Sequence, residues 1–143
     1  MLELDGIDLT RDPLAARFVK RETVAVEFAA RDGLLMSEVG PNHYCAGDAL
    51  VTGSTGDRWC VSRARFDAKY EPLPGVAAGA AGPYRNRPAV VLARQMHEPF
   101  AIARSAGGDR LRGAAGDWVM QYAPGDFGIV ERTRFVRVYR AAD

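Results

Sequence analysis

Apolar and polar residues alternate along several short segments of the chain, a pattern typical of half-buried β-strands. In the first half, the alternating segments are Thr23–Phe28, 34–39, Ala49–Thr52 and 58–62. In the second half they are 89–95, 100–104, 118–122 and 127–130. Connections rich in Gly, Asp and Pro separate these segments and mark turns. The pattern predicts a mainly β fold with at most short helical turns.

Helical spacing occurs at two places. Phe66 and Tyr70 lie four residues apart and would share one face of a helix capped by Ser62. They also fit a strand in which Phe66, Ala68 and Tyr70 alternate with polar residues, and we favour the helix because Ser62 offers the cap. We therefore expect a short helical turn there, running into an extended end at 71–72. A second short helix is predicted over 14–18, with Thr10 or Asp12 as its capping residue.

The chain contains an internal repeat, because residues 46–70 align without a gap with residues 115–139 at an offset of 69. The repeat carries two Gly-Asp pairs in each copy: Gly47-Asp48 and Gly56-Asp57 in the first, Gly116-Asp117 and Gly125-Asp126 in the second. Similarity at a fixed offset indicates that one structural unit was copied. We therefore predict a tandem duplication with pseudo-twofold symmetry.

The repeat divides the sequence into four parts. These are a lead-in over 1–17, a first repeat over 18–72, a linker rich in Pro, Gly and Ala over 73–85, and a second repeat over 86–143. About four short strands per repeat are too few to bury an apolar face. One β core shared by both repeats is the expected solution, either a small β-barrel or a two-sheet sandwich.

The second repeat carries a recognisable motif, Pro124-Gly125-Asp126-Phe127-Gly128. It resembles the signature of a bacterial family named for a Pro-Gly-Asp-Tyr-Gly motif, with Phe127 in place of Tyr. The flanking residues 94–96 and 98–100, together with Phe135 and Tyr139, are also similar to that family. The second repeat resembles it more than the first does. The resemblance implies no activity and no catalytic residues.

Composition is that of an ordinary globular protein, with 48% hydrophobic and 26% charged residues in 143. No apolar run approaches the roughly 20 residues that span a bilayer, so no membrane segment is predicted. The lead-in is acidic and lacks a signal-peptide pattern, which favours the cytoplasm. Cys45 and Cys60 lack metal-site or redox-motif spacing, so we expect free thiols.

The net charge of +1 does not favour a nucleic-acid partner. Acidic residues exceed basic ones over residues 1–72, and the reverse holds over 86–143. This contrast suits docking of two halves or of two copies in a homodimer. Four arginines near aromatic residues could instead form a surface for RNA or single-stranded DNA: Arg132, Arg134, Arg137 and Arg140. A solvated face above a core-facing Phe and Tyr is the favoured interpretation.

Repeated carboxylates are the first candidates for chemistry. If Asp48 and Asp117 lay within a few ångströms of each other, the pair could divide into acid and base. The competing interpretation is that each Gly-Asp makes a turn in which the carboxylate accepts backbone N–H groups. We favour turn capping, because a duplication copies its turns.

Metal-ligand residue types occur at His43, Cys45, His97 and Glu98. These residues come from non-equivalent positions of the two repeats and lack the spacing of a ligand set. No metal site and no cofactor are therefore predicted.

The sequence predicts a non-catalytic module that binds a small molecule or a protein. The residues expected to contact the ligand are Trp59, Trp118, Tyr122 and Arg134, chosen as aromatic and Arg anchors. The alternative is a small enzyme that uses Asp48 and Asp117 for acid–base chemistry in a cleft between the repeats.

Overall fold

The computed structural model describes residues 1–37 and 40–142, and within them the fold is mainly β. The strands are β1 (Leu2–Glu3), β2 (Ala16–Lys20), β3 (Thr23–Phe28), β4 (Gly33–Ser37), β5 (Gly40–Tyr44), β6 (Ala49–Thr52), β7 (Arg58–Val61), β8 (Tyr70–Pro72), β9 (Gly82–Asn86), β10 (Val90–Gln95), β11 (Phe100–Ala103), β12 (Arg110–Gly113), β13 (Trp118–Ala123), β14 (Asp126–Val130) and β15 (Tyr139–Ala141). Two helices accompany them, α1 (Arg63–Lys69) and α2 (Arg132–Val138), with a 3-10 helix at Leu9–Arg11.

The chain divides into two compact units. Unit 1 comprises Met1–Lys20 and Val90–Asp143, and unit 2 comprises Arg21–Ala89. These bounds differ from the predicted repeats over 18–72 and 86–143. The reason is that the strand before each repeat, β2 or β9, pairs with a strand of the other repeat: β2 with β10, and β9 with β3.

Unit 2 contains a five-stranded antiparallel sheet in the order β7-β6-β3-β9-β8, and a separate hairpin of β4 and β5. Strand β3 is central, as its alternation predicts, with Val24 and Val26 buried. The residues that pack together on this sheet are Val24, Val26, Ala49, Val51, Phe66, Tyr70 and Tyr84. Helix α1 contributes Phe66 to this cluster and thereby covers the sheet.

The predicted linker over 73–85 contains strand β9, which pairs with both β3 and β8. Tyr84 of β9 is 2% exposed and holds the loop that precedes it. Its hydroxyl donates to the Ala80 carbonyl at 2.8 Å and accepts the Gly79 N–H at 3.1 Å. Residues 82–86 therefore form a paired strand within the segment whose composition indicated a linker.

Unit 1 contains a five-stranded antiparallel sheet in the order β14-β13-β10-β2-β15. A second sheet of three strands has the order β1-β11-β12, with β1 parallel to β11. The core residues of the larger sheet are Val91, Ala93, Met120, Val130, Phe135, Val138 and Tyr139. Trp118, Met120 and Tyr122 pack on this side of β13, as their alternation predicts.

Each helix makes about two turns. A Phe on its buried side stacks on the Tyr that directly follows the helix, four residues later. Phe66 stacks on Tyr70 with ring centroids 5.0 Å apart, and Phe135 stacks on Tyr139 at 4.8 Å. The helical turn predicted after Ser62 is confirmed. Among the described residues, no helix is long and apolar enough to cross a membrane.

The helix predicted over 14–18 is wrong, because residues 16–20 form strand β2. A 3-10 helix ends at Arg11, and Asp12 has extended dihedral angles of −94° and 114°. Pro13 accounts for this end, since a proline disfavours helical geometry in the residue before it. The cap is Asp8, whose carboxylate accepts the Thr10 N–H at 3.0 Å.

Strand β5 begins at Gly40, directly after the predicted strand over 34–39. Strand β4 reaches Ser37, and Ser37 faces Gly40 in the hairpin register. The predicted strand 34–39 extends to Val39, which lies outside the described residues. A proline is tolerated in β5 because β4 is its only strand partner among the described residues.

The sheets are open, whereas a closed barrel was one of the two alternatives that the sequence predicted. Each sheet of the described residues has a linear strand order with two edges. Each unit has a hydrophobic cluster of its own. The strand that joins from outside the repeat, β2 in unit 1 and β9 in unit 2, adds apolar surface to each of these clusters.

A fragment of residues 21–89 should fold alone, because it contains every strand of unit 2. Shortening it to 21–81 removes β9, so β3 loses a pairing partner and Tyr84 leaves the core. Burying an aromatic side chain stabilises a fold by about 1.5–3 kcal/mol, a large share of the stability of a small domain. We expect a cooperative monomeric thermal transition by circular dichroism for 21–89 only. Equal melting temperatures for the two fragments would contradict the assignment of β9 to this unit.

Candidate functional site

The carboxylate of Asp48 holds the turn before β6. Its Oδ2 accepts the Cys45 N–H at 2.8 Å, and the Asp48 N–H donates to the Cys45 carbonyl at 3.0 Å. Gly47 supplies a φ of +89°, which residues with a side chain rarely adopt. The carboxylate thus serves the backbone of its own turn.

Asp117 makes the corresponding turn in unit 1 and is only 8% exposed. Its Oδ2 accepts the Ala114 N–H at 2.9 Å, and its Oδ1 accepts the N–H of Arg132 at 3.2 Å. Because Arg132 is the first residue of α2, the carboxylate also satisfies a donor at the beginning of that helix. Both oxygens are therefore engaged with backbone.

The Pro-Gly-Asp motif makes the hairpin turn between β13 and β14. Ala123 pairs with Asp126, which leaves Pro124 and Gly125 as the two connecting residues. Proline followed by a glycine at φ +74° fits a type II turn. The last residue of the motif, Gly128, leaves room for an aromatic ring, because a Cβ there would lie 2.8 Å from Tyr122.

The equivalent connection of unit 2 is longer. Gly56 has a φ of +89°, and its N–H donates to the Gly53 carbonyl at 3.0 Å. The Asp57 carboxylate accepts the Thr55 hydroxyl at 3.1 Å. These motif residues thus hold turns, and we assign them no part in a binding site.

A groove of about 360 Å³ lies in unit 1 where β2, β10 and β13 meet the segment after β10. Its apolar lining residues are Leu2, Leu14, Ala16, Phe18, Ala93, Met96 and Trp118. Its polar lining residues are Arg94, Gln95, His97 and Glu98. A mainly apolar lining with a few polar groups is the usual composition of a small-molecule site.

Aromatic contacts fix the orientation of the Trp118 ring in the groove wall. Trp118 stacks on Phe135 with centroids 3.8 Å apart, and Phe18 packs edge-on against it at 5.4 Å. Phe18 also contacts Phe135 edge-on at 4.9 Å. Because each ring touches the other two, the groove has a preformed flat wall.

Two donors of the groove lining have no hydrogen-bond partner among the described residues. They are the indole Nε1–H of Trp118 and the Nε–H of Arg94, and both atoms are shielded from solvent. An unsatisfied buried donor costs about 1–3 kcal/mol, so native proteins retain few of them. An acceptor from a bound molecule would remove that cost.

An ion pair joins the groove to the segment before β2. Arg94 Nη1 donates to Asp12 Oδ2 at 2.7 Å, and the Leu14 N–H donates to Asp12 Oδ1 at 2.9 Å. Burial tends to raise the pKa of Asp12, but these hydrogen bonds and the Arg94 charge outweigh it and hold the pKa below its usual value. The ionised carboxylate thus ties Leu14 to the groove.

Of the four residues predicted to bind a ligand, Trp118 lines the groove. Trp59 lies in unit 2, half-buried against the core cluster of that unit. Tyr122 packs over Gly128, and Arg134 is buried in α2 with 7% exposure. The sequence pattern could not show which of these four lines a groove, because each is an aromatic residue or an Arg in a segment with the same half-buried pattern.

The metal-ligand candidates do not assemble. His43 and Cys45 belong to unit 2, and His97 and Glu98 belong to unit 1. Among the described residues, no group of three or more His, Cys, Asp or Glu side chains could hold a metal ion.

Two of the four arginines, Arg134 of α2 and Arg140 of β15, have structural roles that reduce the surface available for nucleic acid. Arg134 is buried, and Arg140 donates to the carbonyls of Tyr139 at 2.9 Å and Val136 at 3.2 Å. Arg140 therefore satisfies carbonyls at the end of α2.

Most groove residues were not identified from the sequence. Phe18 lies in a segment predicted as helix, and its neighbour in the sheet, Val91, is 73 residues away. Residues 94–98 did carry a signal, since they flank the motif on which the family resemblance rests. Their position in the groove depends on how β10 ends, which the resemblance does not show.

A sequence profile of the PGDYG protein family matches residues 40–140. The match covers more than half of the chain, so the protein belongs to this family. It includes the hairpin turn at 124–125 and residues 94–98 of the groove. Comparisons with curated proteins and with solved structures gave no match.

Substitution of the two turn aspartates should destabilise the protein unequally. Asp117→Ala removes two acceptors from a buried site and should cost about 1–3 kcal/mol. Asp48→Ala removes the acceptor of an exposed turn and should cost less, about 0.5–2 kcal/mol. Asn at either position retains one acceptor oxygen and should cost less than Ala. Urea unfolding of the four variants measures this order, and a larger loss at Asp48 would contradict it.

The Asp12–Arg94 ion pair should make stability depend on acid pH. Because the folded pKa of Asp12 is lowered, its contribution is present above the unfolded pKa of about 3.9 and is lost as pH falls through the folded value. The difference in unfolding free energy between wild type and Asp12→Asn should therefore shrink below pH 4. A difference that stays constant from pH 7 to pH 3 would show that the ion pair contributes nothing.

Proposed function

We propose that the protein is a non-catalytic binding module for a small molecule with a flat apolar body and a hydrogen-bond acceptor. One observation carries the proposal: the groove of unit 1 combines a fixed aromatic wall with the unpartnered Nε1–H of Trp118. A flat ligand suits the wall, and an acceptor oxygen suits the donor.

The shielding of Trp118 Nε1 sets a condition on binding. An acceptor reaches this atom only after a neighbouring side chain shifts. Leu14 is the candidate, because it lines the groove and yet is 69% exposed. Exposed apolar side chains change rotamer on the nanosecond scale or faster, so this movement does not slow association.

We infer that the two units derive from one duplicated module. Three features support this, and the first is the shared strand order, in which β7-β6-β3-β9-β8 corresponds to β14-β13-β10-β2-β15. The second is the backbone pairing of the Gly-Asp turns: Gly47 donates to Ala29, and Gly116 donates to Met96, each at 2.8 Å. The third is the 69-residue sequence offset.

The alternative of a small enzyme that uses Asp48 and Asp117 has weaker support. Each carboxylate accepts a backbone N–H at 2.8–2.9 Å within its own turn. A carboxylate engaged in this way is occupied by the backbone of its own turn and is less available to contact a substrate.

The cytoplasm remains the proposed location. The exposed Cys45 forms no disulfide among the described residues, and exposed reduced thiols persist in reducing compartments.

Benzamide and benzoate carry an acceptor oxygen on a flat ring, and toluene is the matched ring without one. We expect the first two to shift the indole N–H resonance of Trp118 in a ¹H–¹⁵N spectrum of the whole protein. The indole resonance of Trp59, in unit 2, is the internal reference. Toluene should bind more weakly and leave the Trp118 N–H resonance nearly unmoved.

The variant Trp118→Phe tests the donor itself, because it keeps a ring in the wall and removes the N–H. One neutral hydrogen bond contributes about 1 kcal/mol, so affinity for benzamide should fall about fivefold. Trp59→Phe is the matched control and should leave the affinity unchanged. Equal effects of the two variants, or shifts confined to Trp59, would overturn the proposed site.

A further inference from the structure

The two units contain equivalent hairpins outside their five-stranded sheets. In unit 2 this hairpin is β4–β5, and in unit 1 it is β11–β12. Each has a glycine opposite an aromatic residue at its open end: Gly33 faces Tyr44, and Gly113 faces Phe100. The aromatic ring covers the glycine in both, because an added Cβ would lie 2.5 Å from Tyr44 Cζ at Gly33 and 2.4 Å from Phe100 Cζ at Gly113. The glycine is on the first strand in unit 2 and on the second strand in unit 1, so the correspondence is set by the position of the pair at the open end. Aligning the two open ends makes Leu34 equivalent to Ala101.

In unit 1, a short segment of the chain pairs with the outer edge of β11. Strand β1 lies parallel to it, with Leu2 beside Phe100 and Glu3 beside Ala101. The Leu2 N–H donates to the Pro99 carbonyl at 3.1 Å, and the Leu4 N–H donates to the Ala101 carbonyl at 2.9 Å. The added strand covers β11, whose residues Phe100, Ala101 and Ile102 are at most 1% exposed.

In unit 2, the equivalent edge of β4 has no strand beside it among the described residues. Leu34 is 50% exposed and Met36 is 66% exposed. Proteins usually protect an open edge with a charged residue, a proline or a bulge. Residues 33–37 contain no charge and no proline, and their pairing with β5 is regular.

We propose that the edge of β4 is a docking surface for an extended apolar segment of a partner protein, which adds a parallel strand there. The occupied edge of β11 supplies the geometry. By the hairpin correspondence, the carbonyls of Leu34 and of Asp32 take the places of the two acceptors at Ala101 and Pro99. Backbone pairing of this kind is a common mode of peptide recognition.

The side chains around the edge indicate which peptide fits. In unit 1, Arg110 forms ion pairs with Glu3 and Asp5, so the strand bound there is acidic. Arg110 pairs with Ala103, and the corresponding residue of the other hairpin, opposite Met36, is Pro41. Because Pro41 takes the place of Arg110, this position of the hairpin carries no positive charge. The edge of β4 therefore suits a neutral segment whose apolar side chains contact Leu34 and Met36.

A second copy of this chain is the competing occupant. Two copies related by a twofold axis would pair β4 with itself, and such a pairing is antiparallel. Strand β1 on the equivalent edge of β11 is parallel, which favours a segment of another protein over the β4 strand of a second copy. The two cases differ in a measurable way, because only self-pairing depends on the protein's own concentration.

The probe is a blocked peptide with the sequence of residues 1–8 in which Glu3, Asp5 and Asp8 are replaced by their amides. The unaltered acidic peptide is its matched comparison. Titrated into the full-length protein, the neutral peptide should shift backbone amide resonances of residues 33–37 in a ¹H–¹⁵N spectrum. Cross-strand nuclear Overhauser contacts should report a parallel register. The acidic peptide should bind at least fivefold more weakly.

The variant Met36→Lys places a charge on the edge at an exposed position, where the fold should tolerate it. We expect it to weaken the neutral peptide at least tenfold. Val136→Lys, at an apolar position of α2 that is 67% exposed, is the matched control and should have no effect. Peptide binding that survives Met36→Lys, or no shift in 33–37 at millimolar peptide, would overturn the proposal. Dimerisation that Met36→Lys abolishes would overturn it in favour of a second copy.

Discussion

The pairing of β2 with β10 is the interaction on which unit 1 depends. Strand β10 has β13 on one side, and the other side is filled by a strand that precedes it by some 70 residues in the chain. Strand β15 in turn pairs with β2. Without β2, the sheet would end at β10 and β15 would have no neighbour, so both would expose unpaired N–H and C=O groups.

The groove depends on the same pairing. Phe18 lies on β2 and contacts both Trp118 and Phe135, and the ion pair of Asp12 with Arg94 attaches the segment before β2. The groove wall is therefore built from both ends of the unit's sequence. A substitution in the first twenty residues can alter this site as directly as one in the family motif.

Local patterns predicted the local structure well. The alternation of Thr23–Phe28 and Ala49–Thr52 gave strands with the bounds that the structure has, and the spacing of Phe66 and Tyr70 gave α1. These predictions succeeded because burial on one face imposes a period on neighbouring residues. Glycines of the repeated Gly-Asp pairs also lie in turns, as their freedom at positive φ suggests.

Long-range pairing was not predictable from the same signals. Residues 82–86 look like a linker because Gly82 and Pro83 are turn residues, yet Tyr84 fixes them in a sheet. Alternation says that a strand has a buried face but does not name its neighbours, so the exchange of β2 and β9 left no local trace. The groove was not predictable for the same reason, since its lining comes from segments that only the pairing of β2 with β10 brings together.

The exchange of strands has a consequence for biosynthesis. Unit 2 is continuous in the chain, so it can form as soon as residue 89 has left the ribosome. Strand β2 leaves the ribosome before unit 2 but pairs with β10 and β15, which are translated about 70 to 120 residues later. At roughly 5–20 residues per second, this apolar segment waits about 4–24 seconds for its partners. During that interval Phe18 and Val19 are available to chaperones or to strands of other nascent chains, so β2 is made before unit 2 but is protected after it.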